Sequence, residues 1–136
     1  VGTGSLKICE YIWIDGNSPV KQLRSKSKVI FLPKNPNIDS FPHWNFDGSS
    51  TMQATGKDSD CILKPVNFTN NPICQKGGYL VLCEVLNPDG SEHKSNSRAK
   101  LRKILNSGGA EHQPWIGFEQ EYTMFKHNVP LGWPEH

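Results

Sequence analysis

The run Gly78-Tyr79-Leu80-Val81-Leu82-Cys83-Glu84-Val85-Leu86 is apolar at almost every position. A strand with one wet face alternates apolar and polar residues, so a run without alternation needs neighbours on both sides and cover on both faces. It predicts a central strand, and a central strand demands a sheet around it. Leu6 to Asp15 is strongly strand-like: it is rich in β-branched and aromatic residues and ends in the turn signal Asp15-Gly16-Asn17. A second strand follows in Leu23 to Leu32, with Leu23, Val29 and Phe31 on one face and Arg24, Lys26 and Lys28 on the other. Together they predict an antiparallel hairpin with one wet face. Cys61 to Lys64 reads as a short strand stopped by Pro65, and Asn87-Pro88-Asp89-Gly90 turns the chain after the central run.

Between Pro33 and Asp60 the texture changes to Pro, Asn, Gly, Ser and Asp. Structureless connections of that length are uncommon and are often functional. The segment Trp44-Asn45-Phe46-Asp47-Gly48-Ser49-Ser50-Thr51 carries aromatics inside this polar stretch, which predicts an ordered loop packed against the rest. One helix is predicted, capped by Ser95 or Ser97, with Leu101, Ile104 and Leu105 on one face and a stop at Gly108-Gly109. The polar stretch Ser91 to Asn96 is the expected boundary between two units. A last strand is expected from Trp115 to Phe125. One helix and one strand make a very small second unit, so it is expected to be incomplete.

The net charge of +2 over 136 residues gives little electrostatic reason to propose nucleic acid or an anionic membrane as partner. The basic clusters Arg24–Lys28 and Arg98–Lys103 read as solvated faces of a strand and a helix. Four Trp, six Phe and three Tyr argue for a packed chain despite a mean hydropathy of -0.55. Cys9, Cys61, Cys74 and Cys83 include no C-x-x-C pair, and no signal peptide opens the chain. A reduced, cytoplasmic protein is the expectation.

On an extended strand Glu119 and Glu121 point to the same face, with Cα atoms about 6.6 Å apart. Two carboxylates so placed can converge on a hard cation such as Mg²⁺ or Mn²⁺, or they can be two solvated glutamates. Asp47 likewise has two readings. Asp-Gly-Ser-Ser is a common turn composition, and an anion on a presented loop can bind or deprotonate a cationic substrate. None of the five histidines has His-x-x-x-His spacing, and the phosphate loop G-x-x-x-x-G-K-[ST] and Gly-x-Ser-x-Gly are absent.

Taken in order, Glu10–Gly16, Leu23–Lys26, Trp44–Thr51, Leu80–Val85, Pro114–Thr123 and Gly132–Pro134 resemble the amino-terminal region of glutamine synthetase of the eukaryotic type. The resemblance runs from about Leu6 to the end of the chain. It implies an α+β fold: a β-grasp-like amino-terminal domain over residues 1–92, then a truncated start of an α+β catalytic domain over 93–136. It also implies an ATP-dependent ligase that joins glutamate and ammonia through a γ-glutamyl phosphate, with Mg²⁺ or Mn²⁺ and with ATP as co-substrate. The implied assembly is a homo-oligomer of stacked pentameric rings, with each active site shared between neighbouring subunits.

By position, the resemblance assigns Glu119 and Glu121 to the divalent cations, Glu119 on the ATP side and Glu121 on the glutamate side. Asp47 is assigned to ammonium binding and its deprotonation, and Ser50 to the same substrate site. The family's further glutamates, metal-binding His and substrate-binding arginines are not in this sequence, so the 136 residues alone are expected to be inactive. Two alternatives remain open: a non-catalytic interaction module, and a ligase of the same fold acting on another amine.

Overall fold

The computed structural model describes residues 3–134. Five strands, β1 (Gly4–Ile14), β2 (Leu23–Pro33), β3 (Trp44–Asp47), β4 (Asp60–Asn70) and β5 (Gly78–Leu86), form one sheet in the order β2-β1-β5-β4-β3. β1 and β2 pair antiparallel, with Leu6 opposite Phe31 and Ile14 opposite Leu23. β5 runs parallel to β1 on one side and antiparallel to β4 on the other. The apolar run is central, as a strand without alternation must be.

One face of the sheet holds the core: Cys9, Tyr11 and Trp13 of β1, Leu32 of β2, Phe46 of β3, Cys61 and Leu63 of β4, and Val81, Cys83 and Val85 of β5. The stretch between β2 and β3 closes over this face. Phe41 is 3% exposed and packs on Phe68 and Tyr79, with ring centroids 4.8 and 5.6 Å away. The Tyr11 hydroxyl donates to the Pro42 carbonyl at 2.8 Å, which pins the loop down. Burying one such aromatic side chain contributes about 1.5–3 kcal/mol. The aromatics within the polar stretch are therefore core residues delivered by a loop.

Several sequence expectations are corrected. β4 does not stop at Pro65; it runs on to Asn70, and its register against β5 shifts between Pro65 and Asn67. A bulge at that point accommodates a residue with no N–H to give to the ladder. The helix α1 (Ser97–Asn106) is capped by neither Ser95 nor Ser97 but by Asn96, whose Oδ1 accepts from the Ala99 N–H at 3.1 Å. The amide end of Asn96 donates to the Val85 carbonyl at 3.1 Å, tying the helix start to β5, a double duty that serine is too short for. The leucine-isoleucine face does not seat the helix either, since Leu101 and Ile104 are more than half exposed. Ala99, Arg98 and Arg102 face the sheet instead.

The hairpin inverts the usual expectation about faces. Arg24 pairs with buried Asp15 at 3.0 Å, and Lys26 donates to the Asn45 carbonyl at 2.8 Å while lying 3.6 Å from the Trp44 ring centre. Lys28 lies over the same ring at 4.6 Å. Leu23, Val29 and Phe31 are on the open face. The basic cluster Arg24–Lys28 is thus a packed surface, held by the stems and charges of its long side chains.

The strand expected from Trp115 to Phe125 is absent. Residues 113–124 have no regular structure, and only Phe125–Lys126 (β6) pairs, with Val129–Pro130 (β7). Trp115 and Phe118 are almost fully exposed. An extended segment needs a partner for its N–H and C=O groups, and among the described residues only its ends have backbone ones: the Gln113 N–H donates to the Ala110 carbonyl at 3.1 Å, and the Met124 carbonyl accepts from the Leu131 N–H at 2.9 Å.

All four cysteines are free thiols. Burial pushes Cys83 up to about 12 and Cys9 up to about 11, the latter against the pull of Lys28. Among the described residues no helix is long and apolar enough to cross a membrane. The fifth histidine, His136, lies outside the described residues.

Candidate functional site

Asp47 ends β3 and caps the 3-10 turn Gly48–Thr51. Its Oδ1 accepts from the Ser49 N–H at 2.9 Å and from the Ser49 hydroxyl at 2.6 Å. The Ser50 hydroxyl donates to the Asp47 carbonyl oxygen at 2.9 Å. The Ser49 hydroxyl, then the Ser49 N–H and the Ser59 side chain, hold the Asp47 carboxyl below its ordinary value. The side chain is exposed, so the loop presents an ionised carboxylate whose direction is set by the turn.

The loop is braced from three directions. Gly48 is buried, and a Cβ there would meet the Cys61 Sγ at 2.7 Å and the Ala54 Cβ at 3.0 Å, so only glycine lets the turn lie this close to β4. Gly16, in the hairpin connection, gives its N–H to the Thr51 carbonyl at 2.9 Å. Gln53 is 3% exposed and ties the parts together. Its Nε2 donates to the Ile14 carbonyl at 3.1 Å and to the Ser95 hydroxyl at 2.9 Å, and its Oε1 accepts from the Thr51 hydroxyl at 2.8 Å. His93 Nε2 meets the Gln53 carbonyl at 2.5 Å while its Nδ1 accepts from the Ser95 N–H at 3.1 Å, the arrangement of the Nε2–H tautomer. The polar stretch Ser91–Asn96 is therefore bound into the sheet and the Asp47 loop.

Asp15 sets the hairpin connection beneath that loop. It is 0% exposed, and its carboxylate accepts from the N–H groups of Asn17 and Gln22, from the Asn17 amide and from Arg24 Nε. Burial alone would push its carboxyl up. The hydrogen bonds from the Gln22 and Asn17 backbone and from Arg24 outweigh burial and hold it at about 2.

Glu119 and Glu121 lie in the exposed, unpaired stretch 113–124. Among the described residues neither has a salt-bridge partner, and the nearest polar link is Gln120 Nε2 to the Glu121 carbonyl at 3.4 Å. No group of three or more His, Cys, Asp or Glu converges on a metal position among the described residues. The donor set fits Mg²⁺ or Mn²⁺ in kind, two free hard-oxygen ligands one residue apart, and these ions bind with as few as one or two protein carboxylates. No hydrogen bond or ion pair among the described residues joins the Asp47 turn to Glu119 or Glu121.

Sequence reasoning gave Gln53, His93 and Glu84 no role and read Asp15 only as part of a turn. Asp15 carried a signal, an acid directly before Gly-Asn at the end of an apolar strand. Glu84 carried another, the one charge in the central run. Gln53 and His93 carried none, because their partners are about forty residues apart in sequence.

Residues 5–88 match the family model described as glutamine synthetase, beta-Grasp domain. The chain belongs to the glutamine synthetase family. The glutamine synthetase of Streptomyces viridochromogenes is 50% identical over 126 residues, covering 93% of this chain and 36% of that protein. The chloroplastic glutamine synthetase of Chlamydomonas reinhardtii is 46% identical over 134 residues, covering 92% of this chain and 35% of its own length. That of Tuber borchii is 46% identical over 129 residues, covering 94% and 35%. The chain spans about a third of the length of these curated glutamine synthetases. Asp47 and Ser50 fall inside the matched β-grasp region, and Glu119 and Glu121 fall beyond it.

Proposed function

We propose that this chain serves as the amino-terminal part of an ATP-dependent ligase of the eukaryotic type that makes glutamine from glutamate and ammonia through a γ-glutamyl phosphate. The observation that carries the reading is the identity of 46–50%, over more than nine-tenths of this chain, with proteins named glutamine synthetase. The geometry supports it at Asp47. A carboxylate kept ionised by Ser49 and fixed by a braced turn attracts a small cation such as ammonium and can accept its proton. Ser50 shapes the same turn through the Asp47 carbonyl.

Residues 1–92 act as the β-grasp domain and 93–136 as the beginning of a catalytic domain. Glu119, on the ATP side, and Glu121, on the glutamate side, are the carboxylates that hold Mg²⁺ or Mn²⁺. When bound, such a cation neutralises charge on the transferring phosphoryl group. The two glutamates are only part of a metal shell and stand on a stretch without strand partners, so the 136 residues alone neither turn over substrate nor bind ATP tightly. The partners are further copies in a homo-oligomer of stacked pentameric rings, in the cytoplasm, with Asp47 of one subunit facing the carboxylates of the next.

The test is kinetic and uses a full-length ligase carrying this segment. Asp47→Asn raises the ammonium KM far more than the ATP KM, and Glu121→Gln sharply lowers activity and changes its Mg²⁺ dependence. Wild-type behaviour in both variants would sink the reading.

A further inference from the structure

α1 lies against β5 through charge. The Glu84 side chain is 0% exposed and accepts from Arg98 Nη1 at 2.6 Å. Arg102 spans both of its oxygens, Nη1 to Oε1 and Nη2 to Oε2, each at 3.1 Å. Arg98 and Arg102 are four residues apart, one helical turn, so a single buried carboxylate fixes both guanidinium groups. Both remain about two-fifths exposed. Arg98 engages only its Nη1, leaving Nε and Nη2 without a hydrogen-bond partner among the described residues.

These two arginines line a cleft of about 540 Å³ with Ile38, Phe41, Pro65 and Lys64. Lys64 sits directly across the ladder from Glu84, is half-buried, and has no carboxylate partner among the described residues. Three cations thus surround one buried carboxylate. The acid that lines the cleft, Asp39, is exposed, where solvent screens it. Apolar walls lower the local dielectric and strengthen the uncompensated positive field.

We propose that this cleft binds a small oxyanion, a phosphate or carboxylate group held by the free edge of Arg98, by Arg102 and by the Lys64 ammonium. Glu84 acts as the positioning residue that presents the two guanidinium groups. The pairing of planar guanidinium with a point-charge ammonium suits an oxyanion over a halide, because a fork of N–H donors matches two oxygens at once. None of these residues belongs to the Asp47–Ser50 turn or to Glu119 and Glu121, so the site is separate from the proposed ligase chemistry.

The experiment titrates the 136-residue chain with sodium phosphate and, separately, with sodium succinate, at constant ionic strength made up with chloride. Amide and Arg side-chain NMR shifts are followed. The expected result is a saturable shift confined to Lys64, Arg98, Arg102 and their neighbours, with at least one of the two anions; which one responds identifies the oxyanion. Lys64→Gln, which removes no contact that holds the fold, weakens binding about threefold, and Asp39→Asn tightens it about twofold. Arg98→Lys keeps a cation on Glu84 but loses the planar fork, and it weakens binding more than Lys64→Gln does. The proposal is overturned if neither anion gives a saturable local shift. It is equally overturned if the shifts are spread over all surface cations and are indifferent to Lys64→Gln and Asp39→Asn.

Discussion

Leu80–Leu86 is rich in aliphatic residues and Trp115–Phe125 in aromatic ones, and both are strand-like by propensity. The first is hydrogen-bonded on two sides and mostly buried; the second has no strand partner before Phe125 among the described residues and lies open. The difference is supplied by what surrounds each segment. β1 and β4 satisfy the backbone of β5, while no described strand reaches residues 113–124. Propensity for strand expresses fit to a pleated, half-buried surface, and without that surface it decides nothing.

The largest test of the contrast is electrostatic. Arg98→Ala combined with Arg102→Ala strands the Glu84 carboxylate in the interior, and the sheet should lose about 4 kcal/mol in urea unfolding. An unchanged midpoint would mean that Glu84 reaches solvent. Leu63→Ala, at a side chain with no exposed surface, should cost about 3 kcal/mol through lost burial and the cavity left behind.

Acid tests the hairpin connection. The Asp15 carboxyl is depressed from 3.8 to about 2 in the folded chain. Its stabilisation is therefore present above pH 3.8 and is lost as pH falls from there through about 2. Asp15→Asn should be less stable than the wild type at neutral pH, and the gap should narrow over that window. A gap independent of pH would assign the effect to packing alone. The smallest effect is expected from Phe118→Ala, within about 0.5 kcal/mol, because the ring is 95% exposed.

Much of the sheet was legible in the sequence for a local reason. β1, β2 and β5 announce themselves by β-branched and aromatic content, and Asp15-Gly16 and Gly108-Gly109 mark real ends. What was illegible depends on distant partners. Pro65 looked like a stop because the bulge that accommodates it is made with β5. Arg24, Lys26 and Lys28 looked like a wet face because Asp15 and Trp44, which receive them, lie elsewhere in the chain. The Asp47 turn was legible as a turn, and its bracing by Gln53 and His93 was not.

The same contrast governs the proposed site. Asp47 stands on the packed region and is held by it, whereas Glu119 and Glu121 stand on a segment with no support among the described residues. Amide hydrogen exchange on the 136-residue chain reads this directly. The account predicts slow exchange for Val81–Val85 and near-unprotected exchange for Glu119–Thr123. Strong protection across Glu119–Thr123 in this chain would contradict it.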